Sequence, residues 1–361
     1  LSQTISQHAH SVHQKKINMS PYNDLEAQIL SCFEQDDLSD VSFNKIALLV
    51  FGFQYKNNPA YQNYCSAIGS TPETVSHWNQ IPPLPTDAFK STETVITSFP
   101  ARQIKHTFLT SGTTSEVPGK HNFPSLSLYE ASIRYRWKQL NLPKVARGIF
   151  LTPSPASAPN SSLSHMMGVL ESSIASESIW LLKDNGELDD SGLVRYASEK
   201  EPLFLLGTAI SFLGLFDRLT EPIKLPKASM VMETGGYKGS HRNLEKTELY
   251  QLFKDKLGLH ENSIINEYSM TELSSQFYTQ GIGDPHYGPP WTRTRVIDPR
   301  TGADSAPGSL GYLVIYDLAN LYSVMAIQTQ DIAVAHNDGS FTLMGRDPSA
   351  LPRGCSRSAD S

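Results

Sequence analysis

The chain has 361 residues, of which 39% are hydrophobic and 18% charged, with a formal net charge of −6. That length buries a large core and leaves room for subdomains, and the composition is that of a globular rather than a disordered chain. The negative balance, with no basic run, excludes a general nucleic-acid binder. The three cysteines, Cys32, Cys65 and Cys355, are far apart without a CxxC pair, so neither a disulfide framework nor a structural zinc site is expected. A reducing cytoplasm suits such usage.

Residues 1–19 are polar and lack the apolar stretch of a signal peptide, so they read as a disordered leader ahead of Met19. "DLEAQILSCFEQ" and "SFNKIALLVFGFQYKNN" carry apolar residues at helical spacing, with Ser42 as a candidate cap for the second, and "NPAYQNYCSAIG" predicts a shorter helix. "IPPLPTDAFK" is a proline-rich connector that ends this helical opening. Beyond it, "GIFLTP", "SIWLL", "PLFLLG", "ASMVMETGG" and "SIINEYS" read as buried strands alternating with helices, and "RNLEKTELYQLFKDKLG" is a strongly amphipathic helix between the last two. Such alternation predicts an α/β core with a largely parallel sheet. The longest apolar run, Leu203–Phe216, is too short for a membrane span. From Trp291 onward short strands separated by "DPRTG" and "HNDG" predict a small β-rich region, and the stretch from Arg346 to Ser361 reads as an exposed tail.

Five stretches carry residues suited to chemistry. In "TSGTTSEVPGK", Thr110, Ser111, Gly112, Thr113 and Thr114 let hydroxyl and backbone N–H groups approach phosphate oxygens, with Lys120 as a point charge. The stretch lacks the Walker spacing, and alone it reads better as a solvated Ser/Thr turn. "METGGYK" ends a strand with Gly235 and Gly236, which permit close approach of a flat ligand; a plain turn is the simpler reading. "NEYSMTEL" offers Tyr268 for stacking, Thr271 for a phosphate and Glu272 for Mg²⁺, but Ser269 and Glu272 equally spell a helix capping box. Asp331 in "QTQDIA" suits a pair of ribose hydroxyls, and Arg346 follows a strand; each reads singly as a surface charge. Cys355 in "RGCS" lies between Arg353 and Arg357, which favour its thiolate, whereas Cys32 and Cys65 sit on apolar helical faces. His165 and His286 are candidates for lining a cleft.

Taken in order, these pieces resemble the adenylate-forming superfamily of acyl- and aryl-acid ligases. "TSGTTSEVPGK" looks like its phosphate loop, "TGGYK" its adenine-pocket glycines, "EYSMTE" its tyrosine–glycine–x–threonine–glutamate motif, and "TQDIA" with "GR" its ribose-binding aspartate and hinge arginine. The match is closest to the acyl-protein synthetase branch, the synthetase component of the bacterial bioluminescence fatty-acid reductase, over roughly residues 20–357. The resemblance implies the large N-terminal domain of an adenylate-forming enzyme spanning 20–345, layered α/β subdomains with a β-rich subdomain at 291–345, and a tail at 346–361 carrying Cys355. It implies that most of the mobile C-terminal domain is lacking. It further implies ATP and Mg²⁺ as cofactors, a fatty acid made into acyl-AMP, transfer to Cys355 as a thioester, and delivery to a partner acyl reductase. Thr271, Glu272 and Arg346 would join Cys355 in the chemistry, and Lys120, Lys238 or Arg346 would stand in for a lysine of the missing domain. Ser115 and Ser269 depart from the family's glycines. The alternatives are an acyl-CoA ligase using coenzyme A as acceptor, and a nucleotide-binding subunit without turnover. The acyl pocket is expected along Leu203–Phe216 and "SSLSHMMG".

Overall fold

The computed structural model describes residues 22–110, 117–183, 186–189, 191–235, 244–281, 283–306 and 308–347. Three helices open it: α1 (Asn23–Phe33), α2 (Asp40–Asn57) and α3 (Pro59–Ala67). The second is capped one turn earlier than expected. Ser39, not Ser42, takes the cap, its hydroxyl accepting from the Ser42 amide at 3.2 Å. Cys32 and Cys65 are buried on α1 and α3, and burial pushes the Cys65 thiol up to about 11, so both are inert packing residues.

The proline-rich connector supplies a two-residue strand, β1 (Leu84–Pro85), and a hairpin follows from β2 (His106–Leu109) and β3 (Lys120–Phe123). The alternating core then runs α4 (Ser127–Gln139), β4 (Val145–Leu151), α5 (Ser162–Ile174), β5 (Ala175–Trp180), α6 (Ser191–Ser198), β6 (Leu203–Thr208), α7 (Ala209–Arg218), β7 (Met230–Thr234), α8 (Lys246–Leu257), β8 (Ile264–Tyr268) and β9 (Phe277–Gln280). The strands form a six-stranded sheet in the order β5-β4-β6-β7-β8-β9, parallel except for β9. Its central strands β6, β7 and β8 are buried on both sides, which explains their apolar runs, while the edge strand β5 is exposed or half-buried beyond Ala175. One face shares a core with α1 to α5; the other packs against α6, α7 and α8. Chain order reverses between β4 and β6, the kind of place where open α/β sheets bind ligands beyond the carboxyl ends of the strands.

The remaining strands are β10 (Thr292–Ile297), β11 (Gly311–Asp317), β12 (Ala326–Ala335) and β13 (Phe341–Arg346), which pair in a second sheet. That sheet also recruits β1, which pairs in parallel with β12. Gln54 on α2 ties this sheet to the opening helices, donating to the Asn320 and Leu321 carbonyls and accepting from the Met325 amide. Among the described residues no helix is long and apolar enough to cross a membrane.

Candidate functional site

The turn after β8 carries Thr271 and Glu272, and three other parts of the molecule hold it. From the β2–β3 hairpin, His121 Nδ1 donates to the Thr271 carbonyl at 2.7 Å, while its Nε2 accepts from the Ser323 hydroxyl at 2.8 Å. Burial pushes the His121 imidazole down to about 4, so it is neutral in this role. From the start of α5, the Ser162 hydroxyl meets that of Thr271 at 3.2 Å. From the turn after β11, Asn320 donates to the Glu272 carbonyl at 2.8 Å, and Asp317 accepts from the Ser274 amide and the Ser275 hydroxyl. Thr271 and Glu272 are both buried. No helix starts here, so the alternative of a capping box from Ser269 to Glu272 does not hold.

The hairpin's position explains the spacing of the first motif. Thr110 leaves β2 and Lys120 opens β3, with Leu109 paired to Lys120 in register. The intervening stretch is closed at its base by Thr110 and Gly119, whose amides and oxygens exchange bonds of 2.9 and 2.7 Å. A Cβ on Gly119 would meet the Thr110 side chain at 3.0 Å, a tight contact that Thr110 would have to relieve by shifting. Lys120 is thus an exposed strand residue rather than part of the loop. Ser111, Gly112, Thr113, Thr114 and Ser115 lie outside the described residues, as do Gly236, Lys238 and Cys355.

Gly235 ends β7 with a φ of 73°, the left-handed conformation that glycine adopts without strain. Beside it on β8, the Tyr268 hydroxyl donates to Asp331 Oδ2 at 2.7 Å, joining the six-stranded sheet to β12. The Tyr268 ring stands edge-on to Phe277, His286 and Phe341. Arg346 on β13 lies directly opposite Asp331 in register and donates to Gln330. Four of the residues selected from sequence therefore converge at one junction: Tyr268, Asp331, Arg346 and Gly235 surround the carboxyl ends of β7 and β8. Thr271 and Glu272 lie on the turn that continues β8.

A buried polar network lies behind that junction. Asn266 donates to Glu233 Oε1 at 2.7 Å and accepts from Lys246 and His286 at 2.6 and 2.8 Å. Desolvation raises the Glu233 carboxyl and lowers the Lys246 amine, and it pushes His286 down to about 3. His286 is thus a buried neutral residue of this network. His165 faces a cavity of about 550 Å³ on the flank of the hairpin, where its Nε2 lies 3.1 Å from Glu130. The apolar run Leu203–Phe216 forms β6 and α7 and is packed in the core, which does not agree with the acyl pocket expected along it.

Sequence reasoning missed His121 and Asn320, the two residues that position the Thr271–Glu272 turn. His121 follows Lys120 directly and shares a strand face with Phe123 two residues on, which was the available signal; its cross-strand partner Phe108 came only from the pairing.

The model of the family described as "Acyl-protein synthetase, LuxE" matches residues 12–360. A long-chain-fatty-acid–luciferin-component ligase of Aliivibrio fischeri is 24% identical over 316 residues, covering 83% of this chain and 80% of that protein. Among solved structures, an open conformation of 2-hydroxyisobutyryl-CoA ligase matches with a TM-score of 0.60 at 14% identity, covering 86% of this chain and 76% of that one. The same ligase in its thioesterification state also gives 0.60, at 15% identity, with 86% and 69% covered. The structural likeness shows the fold, that of adenylate-forming enzymes. With a family model matching nearly the whole length, the chain belongs to the LuxE family of acyl-protein synthetases.

Proposed function

We propose that this protein activates a long-chain fatty acid with ATP and then carries the acyl group as a thioester on Cys355. The observation that supports it best is the convergence of Gly235, Tyr268, Asp331 and Arg346 beside the Thr271–Glu272 turn. Gly235 and Tyr268, with Gly236, would hold adenine, and Asp331 and Arg346 the ribose. Ser111, Gly112, Thr113 and Thr114, entered from Thr110, would cradle the phosphates.

The fatty-acid carboxylate attacks the α-phosphorus, the bond to the bridging oxygen breaks, and pyrophosphate leaves. Thr271 orients the α-phosphate. Glu272 suits Mg²⁺: it is a single buried carboxylate, and such ions take one or two carboxylates with phosphate oxygens and water completing the shell. Among the described residues no group of three His, Cys, Asp or Glu would hold an ion without the nucleotide. When bound, the ion offsets charge on the phosphates. Arg346, Lys120 and Lys238 remain the candidates for a cation at the transferring phosphate. The Cys355 thiolate then attacks the mixed anhydride and AMP leaves. The partner that accepts the acyl group would be an acyl reductase.

Acyl labelling tests this. The protein is incubated with Mg·ATP and radiolabelled tetradecanoic acid, denatured, and treated with neutral hydroxylamine, beside a Cys355→Ser variant. ATP-dependent, hydroxylamine-labile label that disappears in the variant is the expected result. Acyl-AMP without protein label would move the acceptor to coenzyme A or another thiol, and silence in both label and pyrophosphate exchange would overturn the reading.

A further inference from the structure

His165 and Glu130 face the cavity on the flank of the β2–β3 hairpin, and the reaction described so far uses neither. The cavity, of about 550 Å³, lies between β2, the start of α4 and the segment leading into α5. Lys105 and His106 line it from the β2 side, Glu130 from α4 and His165 from α5. The last two form a dyad. His165 Nε2 lies 3.1 Å from Glu130 Oε1, and the other carboxyl oxygen accepts from Arg134 at 2.9 Å. Phe108 and Tyr129 pack on the imidazole, with ring centroids at 5.4 and 5.9 Å. A carboxylate already anchored by Arg134 is an acceptor, so in the neutral imidazole Nε2 carries the hydrogen and Nδ1 the lone pair. The His165 side chain is 24% and that of Glu130 29% exposed, so a proton taken up here can leave to water.

Three contacts tie this cavity to the Thr271–Glu272 turn. Ser162 and His165 are three residues apart on α5 and share one face of it, with Cβ atoms about 5–6 Å apart; the Ser162 hydroxyl meets that of Thr271 at 3.2 Å. The Tyr129 hydroxyl donates to the Ser162 carbonyl at 3.1 Å. Asn160, on the cavity wall, accepts from the Leu109 amide at 2.9 Å, one residue before the phosphate segment begins at Thr110. The cavity therefore follows the strand that delivers that segment, and His165 stands one helical turn from the side chain that touches Thr271.

What Nδ1 offers is a lone pair, and only one step of the reaction has a proton to give it. Adenylation starts from a carboxylate and releases none; thioester formation starts from S–H, and a thiol of ordinary acidity is only a few per cent thiolate near neutrality. We propose that His165, oriented by Glu130, is the general base of the thioester-forming step. Nδ1 takes the proton from Cys355 Sγ as the sulfur bonds to the acyl carbon. The bond from that carbon to the phosphate oxygen breaks, and AMP leaves with the electron pair. The imidazolium is held against Glu130 until its proton passes to water, while Lys105 and His106 on the opposite wall favour the thiolate as it forms. The chain is long enough for this. The described residues end at Asp347, eight before Cys355, a span of at most about 26–29 Å, and Arg346 beside it stands opposite Asp331. The proposal rests on the reading above, acyl-AMP followed by a thioester at Cys355, and adds the base for its second step.

Two assays on the full chain separate the half-reactions: ATP–pyrophosphate exchange with tetradecanoate for adenylation, and rapid-quench single turnover for the appearance of hydroxylamine-labile label on the protein. In His165→Gln, exchange stays within about three-fold of wild type, which also shows the fold intact, while transfer at about pH 7 falls roughly hundred- to ten-thousand-fold and acyl-AMP accumulates. The lost rate returns with pH, about tenfold per unit toward the thiol's ordinary pKa near 8.5, because the thiolate then forms without a base. Glu130→Gln keeps an oxygen for Nε2 but loses the charge that steadies the imidazolium, so transfer falls roughly ten-fold and exchange does not. Added imidazole speeds transfer in His165→Ala and not in the wild type. Transfer that is unaltered in His165→Gln, or that falls only in step with exchange, or that imidazole cannot speed in His165→Ala, overturns the proposal alone. A wild type that makes acyl-AMP but no protein thioester, or that shows no exchange with any acid, overturns the reading above and this proposal together.

Discussion

Replacing His121 with phenylalanine should destabilise the protein near neutral pH and hardly at all in mild acid. His121 is 1% exposed and pairs with Phe123 at 4.2 Å, so phenylalanine keeps the shape and the ring contact. It strands two groups, the Thr271 carbonyl and the Ser323 hydroxyl. At about 1–2 kcal/mol for each, the variant is less stable by roughly 2–4 kcal/mol near pH 7.5. The sign of the pH effect follows from the lowered pKa. An imidazole at about 4 in the folded state and near 6.5 when unfolded takes up its proton in the unfolded chain first. Wild-type stability is therefore complete above the unfolded value and is lost as pH falls through that window. By pH 5 the loss is about 2 kcal/mol, and phenylalanine does not share it. Urea melts of both proteins at the two pH values measure the difference. The gap should narrow by about 2 kcal/mol; a constant gap would mean that folding does not lower the His121 pKa, and the reading of a buried, neutral imidazole would be wrong.

Other consequences are simpler to read. Gly119→Ala places a methyl within 3.0 Å of Thr110 and should cost about 1–3 kcal/mol, with pyrophosphate exchange falling further than stability because the hairpin base frames the phosphate segment. Tyr268→Phe removes the hydroxyl that Asp331 accepts, so the KM for ATP should rise roughly ten-fold while the KM for fatty acid stays level, as exchange kinetics with each substrate varied would show. Asp317→Asn replaces a carboxyl that burial raises to about 6. It weakens the bonds from Ser274 and Ser275 that hold the Thr271–Glu272 turn, and kcat should fall more than either KM, measured by the same exchange assay.

Much of the fold was legible because its signals are local. Buried parallel strands are apolar on both faces, so β4, β6, β7 and β8 announce themselves in a single pass, and the amphipathic period of α8 does the same. The same locality made the site motifs visible, since strand-end residues such as Gly235, Tyr268, Thr271 and Glu272 adjoin the strands that carry them. Their joint meaning came from order along the chain, because each one alone reads as well as a turn or a cap.

What the sequence could not contain is which distant groups meet. Nothing near residue 121 says that its imidazole will sit under a carbonyl 150 positions later and be held neutral there. Nothing near residue 84 says that two residues of a proline-rich connector will pair with β12. Leu203–Phe216 looked like a pocket wall by hydrophobicity alone, and hydrophobicity does not separate core from cavity; packing between the sheet and α7 did. Glu267 is the sharpest case. Its residue type suggests a charged surface group, and only burial beside Thr234 and Glu233 raises its carboxyl toward neutrality. Strand propensity and motif order are properties of neighbours in sequence, and they fixed the architecture and the list of candidates. Desolvation and hydrogen-bond pairing are properties of neighbours in space, and they decided which of those residues hold the turn, which fill the core and which keep a proton.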